Sequence, residues 1–168
     1  MIALLTLAAF PAALIIAAAH DLYEFKIPNW ISILLATSYF AAGLATGTSL
    51  SVIFEGAMLG AGALVIGFIL FARNVIGGGD AKLLAGSVMW VGYTGLGLFL
   101  VNTALAGAML AALLMLFRKA PAFPMYAQAP WLLRLHQRTQ DVPYAVAICA
   151  GGLLTFQDTL FVQRLFGA

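Results

Sequence analysis

What most constrains this chain is the length of its uncharged apolar runs. Ile2 to Ala19, Trp30 to Thr46 and Leu96 to Phe117 each pass without a Lys, Arg, Asp or Glu, and Leu50 to Ala72 carries only Glu55. A helix rises about 1.5 Å per residue and the hydrocarbon core of a bilayer is about 30 Å thick, so each run suits a membrane crossing. Composition points the same way, with 64% hydrophobic and 8% charged residues and a mean hydropathy of +1.04. A soluble domain of this size would hold roughly 42 charged residues; this chain has 8 basic and 6 acidic ones. That excludes a free cytosolic enzyme, a disulfide-stapled secreted module and a disordered tail. A net charge of +2 provides no basic face for nucleic acid, so no nucleic-acid partner is expected. Cys149 is the sole cysteine, which removes internal disulfides and any CxxC zinc site; neither metal nor cofactor is expected.

Val142 to Phe156 forms a shorter fifth run, which Pro143 opens where its missing N–H costs little. The stretch from Ala81 to Tyr93 is ambiguous, because thirteen residues cover only about 20 Å as a helix and could cross or re-enter. Charge decides. If it crosses, Lys26, Arg73, Lys82, Arg118, Lys119, Arg134 and Arg138 share one side and Arg164 stands alone; if not, the basic residues split four and four. The positive-inside rule selects the crossing. The expectation is therefore an all-α polytopic membrane protein, one domain over 1–168, with about six transmembrane helices. Both termini lie outside, and loops 20–29, 73–80 and 118–141 lie in the cytoplasm. Ala17-Ala18-Ala19 would suit signal-peptide cleavage, but the basic n-region is missing, so the first run is expected to stay. Within the longest loop, Trp131-Leu132-Leu133-Arg134-Leu135 reads as a segment lying at the lipid surface. The spacing of Gly56 and Gly60 lets a neighbouring helix approach closely.

With no extramembrane domain expected, chemistry falls to the acids at or in the bilayer, where an ionisable group is costly and is by default a functional candidate. There are six: Asp21, Glu24, Glu55, Asp80, Asp141 and Asp158. Asp141 and Asp158 read as solvated ends of the last segment. Glu55 sits about 8 Å inside the third and reads as snorkelling to the outer interface. Asp21 ends the first span, and Asp80 follows Gly77-Gly78-Gly79 to open the fourth, so the threading brings both to one boundary. Two carboxylates that meet can divide the labour, one ionised to draw a proton from water and one protonated to polarise a carbonyl. Gly77, Gly78 and Gly79 are expected to supply dihedrals closed to other residues and to let a substrate backbone pass close. Alternatively, Asp80 is an ordinary helix N-cap and Asp21 a solvated loop residue.

Gly77-Gly78-Gly79-Asp80-Ala81-Lys82-Leu83-Leu84 fits a GxGD-K pattern, and Asp21 precedes Ile27-Pro28-Asn29. With Asp141-Val142-Pro143-Tyr144-Ala145, these landmarks resemble the type IV prepilin peptidases, GxGD intramembrane aspartyl proteases related to presenilin and signal peptide peptidase. The resemblance implies Asp21 and Asp80 as the catalytic pair, with Gly77 and Gly79 shaping the loop that holds Asp80. It implies a prepilin substrate, cut at the cytoplasmic face of the bacterial inner membrane after a short basic leader. The short chain is similar to the single-domain enzymes of tight-adherence (Flp) pili. N-methylation, which in longer relatives accompanies paired CxxC motifs, is not expected of a chain whose only cysteine is Cys149.

Helix dipoles favour the anion on Asp80, at a helix N-terminus, over Asp21, at a C-terminus, by about 0.3–1 kcal/mol at each end. Lys82 reads as a positive-inside residue. Two other functions compete: a small transporter or proton channel relaying through Asp21, Glu55 and Asp80, and a non-catalytic assembly subunit whose glycine-rich faces are its whole function. The oligomeric state is left open.

Overall fold

The computed structural model describes residues 2–121, 129–138 and 141–166. Among them the chain is all-α, with seven helices: α1 (Ile2–Glu24), α2 (Asn29–Ala45), α3 (Leu50–Ala72), α4 (Gly78–Lys119), α5 (Pro130–Gln137), α6 (Ala145–Leu154) and α7 (Leu160–Phe166). Three are long and apolar enough to cross a membrane, at Ala3–Glu24, Leu50–Ala72 and Gly78–Lys119; α2 and α6 are shorter apolar helices. Their flanks agree with a lipid environment. Phe54, Val65 and Phe68 of α3 are 60–65% exposed, an apolar surface that a water-facing domain does not carry at this density.

The helix ends follow local chemistry. After α2 the Gly47 N–H bonds the Leu44 carbonyl and the Thr48 N–H the Gly43 carbonyl, with Gly47 at φ +67. After α3 the N–H groups of Asn74 and Val75 bond Phe71 and Leu70 in the same way, with Asn74 at φ +57. Both are Schellman caps, whose left-handed residue is here Gly or Asn. α1 ends on Phe25 at φ +56, its N–H bonded to the Asp21 carbonyl, and Pro28 follows. A bulky residue in that conformation costs about 1–2 kcal/mol.

The ambiguous stretch 81–93 is helical up to Val91, where it forms the first limb of α4. Gly92, at φ +67 and ψ −175, breaks the helix. Phe10 stacks on Trp90, while Asp21 shares a cleft with Asp80, so α1 runs antiparallel to residues 78–91. Beyond Gly92, Gly107 faces Tyr144 and Gly151 faces Thr103, so α6 runs antiparallel to residues 93–119. α6 is also antiparallel to α1, with Ala145 at Asp21 and Gly152 at Leu14. The two halves of α4 therefore run in opposite senses, turned back at a glycine whose φ other residues adopt with strain.

Packing relies on small residues. Gly60 lies against Ala85 and Met89, Gly67 against Ala81, and Gly56 beneath the Tyr39 hydroxyl, so the Gly56/Gly60 spacing serves contacts within the monomer. The core centres on Trp90, which stacks on Phe10 at 5.1 Å, meets Phe161 edge-on at 5.5 Å and donates its Nε1–H to the Leu35 carbonyl at 2.9 Å. Phe161 comes from α7, an element absent from the sequence expectation. The last apolar run is also shorter than its expected Val142–Phe156, because α6 spans Ala145–Leu154 and a 3-10 turn follows at Phe156–Asp158.

Candidate active site

Helix ends converge at one end of the bundle on a cleft of about 800 Å³, lined by Asp21, Asp80, Phe25, Gly77, Arg138, Asp141 and Tyr144 among others. Asp21 belongs to the last turn of α1 and is 7% exposed. Its Oδ2 accepts the Ala145 N–H at 3.0 Å. That donor is available because the first N–H groups of a helix have no intrahelical acceptor, and α6 starts at Ala145, just past Pro143 and Tyr144.

Asp80 enters from the first turn of α4 and lines the same cleft as Asp21. The helix is capped by Gly77, not by Asp80, which occupies its third position. From there the carboxylate folds back over Gly77, within reach of that residue's backbone N–H, in the manner of the third-position acid of a capping box. Asp80 Oδ1 is buried with no hydrogen-bond partner among the described residues.

The three glycines do not serve the dihedral part of the expectation. Gly77 has φ −69 and ψ 144, open to any residue, so dihedral freedom is not their use here. Space is. A Cβ on Gly77 would lie 2.8 Å from Asp80 Oδ2, one on Gly79 3.0 Å from Ile27 Cβ, and one on Gly78 3.3 Å from the Phe71 ring. Gly77 leaves room for the carboxylate, and Gly79 brings the start of α4 onto the turn between α1 and α2.

Asp141, expected as a solvated helix end, is half-exposed and also lines the same cleft. Its carboxylate pairs with Arg138 at 3.2 Å, and the Arg138 guanidinium stands 5.2 Å over the Phe25 ring. Arg118 holds this segment by donating to the carbonyls of Leu135 and Asp141. α5 docks alongside, with Trp131 edge-on to Tyr23. Sequence reasoning missed the Ala145 donor, although Pro143 just ahead of an apolar run marks a helix start and hence free N–H groups.

Glu55 lies apart. It borders a cavity of about 140 Å³ with Tyr39, Trp90, Tyr93 and Thr94, ten or more residues along α4 from Asp80, or about 15 Å. That separation weighs against a relay through Asp21, Glu55 and Asp80. Among the described residues no group of three or more His, Cys, Asp or Glu could hold a metal ion.

No curated protein and no solved structure matches the chain. Residues 8–112, which include Asp21, Gly77, Gly79 and Asp80, match the type IV leader peptidase family. The chain thus belongs to the type IV leader peptidase family, and is a multi-pass membrane peptidase of the aspartic, prepilin-cleaving kind.

Proposed function

We propose that this chain removes the leaders of Flp-type prepilins at the cytoplasmic face of the inner membrane, with Asp21 and Asp80 as its catalytic pair. The observation that carries the reading is that two acids from different helix ends line one cleft. The whole of 1–168 acts as one peptidase domain threaded as six crossings. The reversal at Gly92 supports this, since it turns α4 into two antiparallel limbs. Lys26, Arg73, Lys82, Arg118 and Arg138 then gather at the cleft end, which the positive-inside rule assigns to the cytoplasm.

In the proposed mechanism Asp21, whose Oδ2 is held by the Ala145 N–H, is the carboxylate that takes a proton from the attacking water. Asp80, which lines the same cleft, holds the shared proton and donates it to the scissile carbonyl oxygen. Water adds to give a tetrahedral diol, and no covalent acyl-enzyme forms. Gly77, which lines the cleft, lets the substrate backbone lie beside Asp80, while Gly78 and Gly79 meet Phe71 and Ile27.

The test is leader removal from a purified Flp-type prepilin by the enzyme in liposomes. Wild type is expected to cut once, and Asp21→Asn and Asp80→Asn each to lose cleavage, because an amide can neither accept nor return the proton. Substantial cleavage by either variant would remove that residue from the pair.

A further inference from the structure

The first turn of α4 presents a different residue to each neighbour. Gly78 faces Phe71 of α3, Asp80 faces the cleft, and Ala81 meets Gly67 of α3. Gly79 and Lys82, three positions apart and so on one helix face, both meet the segment that follows Asp21. Gly79 rests on Ile27, and Lys82 Nζ donates to Asn29 Oδ1 at 2.9 Å. That segment is short and stiff: Phe25 is held in the left-handed region, and Pro28 fixes its own φ just before α2 begins at Asn29. Asp21 stands eight residues before Asn29, and Asp80 two residues before Lys82. Lys82 to Asn29 is thus a direct side-chain tie between the two segments that carry the carboxylates.

We propose that the Lys82–Asn29 hydrogen bond is a latch that sets the spacing of Asp21 and Asp80, which makes Lys82 and Asn29 positioning residues of the peptidase. The proposal rests on the reading of the two acids as catalytic. The bond lies at an exposed site, and exposed polar pairs contribute little to stability, so the latch acts on geometry and not on folding. Without it, Gly79 on Ile27 still touches the segment after Asp21 while Gly78 and Ala81 hold the turn to α3, and the turn can pivot slightly about those contacts. A displacement of 1 Å in a catalytic group lowers turnover by up to about a hundredfold; a pivot of half that distance predicts about tenfold.

The experiment measures cleavage of a synthetic prepilin-type peptide by purified enzyme in liposomes, with hydrogen exchange of the amides at 77–82 as a readout that needs no substrate. Asn29→Ala and Lys82→Met are each expected to lower kcat about tenfold with KM within about twofold. The double variant should be no slower than the slower single. Lys82→Arg and Asn29→Asp, which keep donor and acceptor, should stay near wild type. Exchange at 77–82 should quicken in Asn29→Ala and Lys82→Met at an unchanged melting temperature. Wild-type cleavage that is lost in Asp80→Asn establishes the catalytic reading first; if wild type does not cut, that reading fails and exchange alone judges the latch. Three results would each overturn the latch: wild-type kcat in Asn29→Ala, additive losses in the double variant, or unchanged exchange at 77–82. A loss confined to Lys82→Met assigns Lys82 to membrane orientation and overturns it as well.

Discussion

Gly77→Ala isolates the geometry of Asp80 from the stability of the fold. The backbone at 77, with φ −69 and ψ 144, accepts alanine without strain, and replacing glycine at such a site stabilises by about 0.4–1 kcal/mol through the unfolded chain. The new Cβ nevertheless lies 2.8 Å from Asp80 Oδ2, where ordinary contact begins at 3.4 Å. The carboxylate is the mobile end of its side chain, so it gives way by roughly 0.6 Å while the helix stays put, beyond the tolerance of about 0.5 Å for a productive site. Scaled from about a hundredfold per 1 Å, kcat should fall about 15-fold, a barrier increase of about 1.6 kcal/mol. The neighbouring glycines calibrate the argument. At Gly79 the opposing atom is Ile27 Cβ at 3.0 Å, fixed to the backbone. Alanine there must push the α1–α2 turn away from α4 by roughly 0.4 Å and should cost about sixfold in kcat, with a small loss of melting temperature. At Gly78 the opposing atoms belong to the half-exposed Phe71 ring, which can swing away, and kcat should stay near wild type. Initial rates on a labelled prepilin in liposomes, alongside thermal unfolding, give the ranking. Equal losses at 77 and 78, or wild-type kcat in Gly77→Ala, would refute the reasoning.

The pH–rate profile of the purified enzyme should be bell-shaped, because a proton-sharing pair works in its singly protonated state; a flat profile would count against shared-proton chemistry. Gly151→Ala should destabilise by about 2 kcal/mol, since its Cβ would collide with the Thr103 side chain and lie 2.9 Å from that residue's backbone nitrogen. Gly62→Ala, with nothing within 4 Å, should leave the unfolding midpoint unchanged or slightly raised. In the six-crossing thread, cysteines introduced at Lys26, Asn74 and Lys119 should react with impermeant reagent from the same side, and one at Thr94 from the opposite side. Labelling of Thr94 together with Lys26 would mean that residues 78–91 do not cross.

Hydropathy locates α1, α2 and α3 closely, because a bilayer demands continuous apolar runs and a helix spends its backbone hydrogen bonds internally. It leaves 81–93 ambiguous because helix length is the only criterion there. The turning point is Gly92, one of several glycines in that region, and no composition rule distinguishes it from Gly86 or Gly95, which remain helical. At the site, Asp21 and Asp80 are legible because acids near lipid are rare enough to count. Their supports are not. The Ala145 donor is a backbone group with no side-chain mark, the room at Gly77 depends on where a carboxylate folds, and the Lys82–Asn29 bond joins residues distant in sequence. The place of Asp141 in the cleft escapes a sequence reading because Arg118 reaches its carbonyl from 23 residues away, although its pair with Arg138 is local.

The proton's place shows how such supports change a chemical conclusion. Dipoles alone favour an anion at Asp80, by about 0.3–1 kcal/mol at a helix end. A hydrogen bond to a charged group contributes about 1.5–3 kcal/mol and is directional, and Asp21 Oδ2 receives such a bond, 3.0 Å from the Ala145 nitrogen. The donor is also the first N–H of α6, so Asp21 sits at a helix C-terminus through its own chain and at a helix N-terminus through space. The second relation opposes the first and, with the bond included, exceeds it. Asp80 keeps the Gly77 backbone in reach, but its Oδ1 has no partner among the described residues, and a buried oxygen without a donor is poorly suited to charge. In the proposed mechanism the pair is therefore asymmetric in the sense opposite to that of the dipole argument: Asp21, fixed by a third helix, is the base, and the shared proton rests on Asp80.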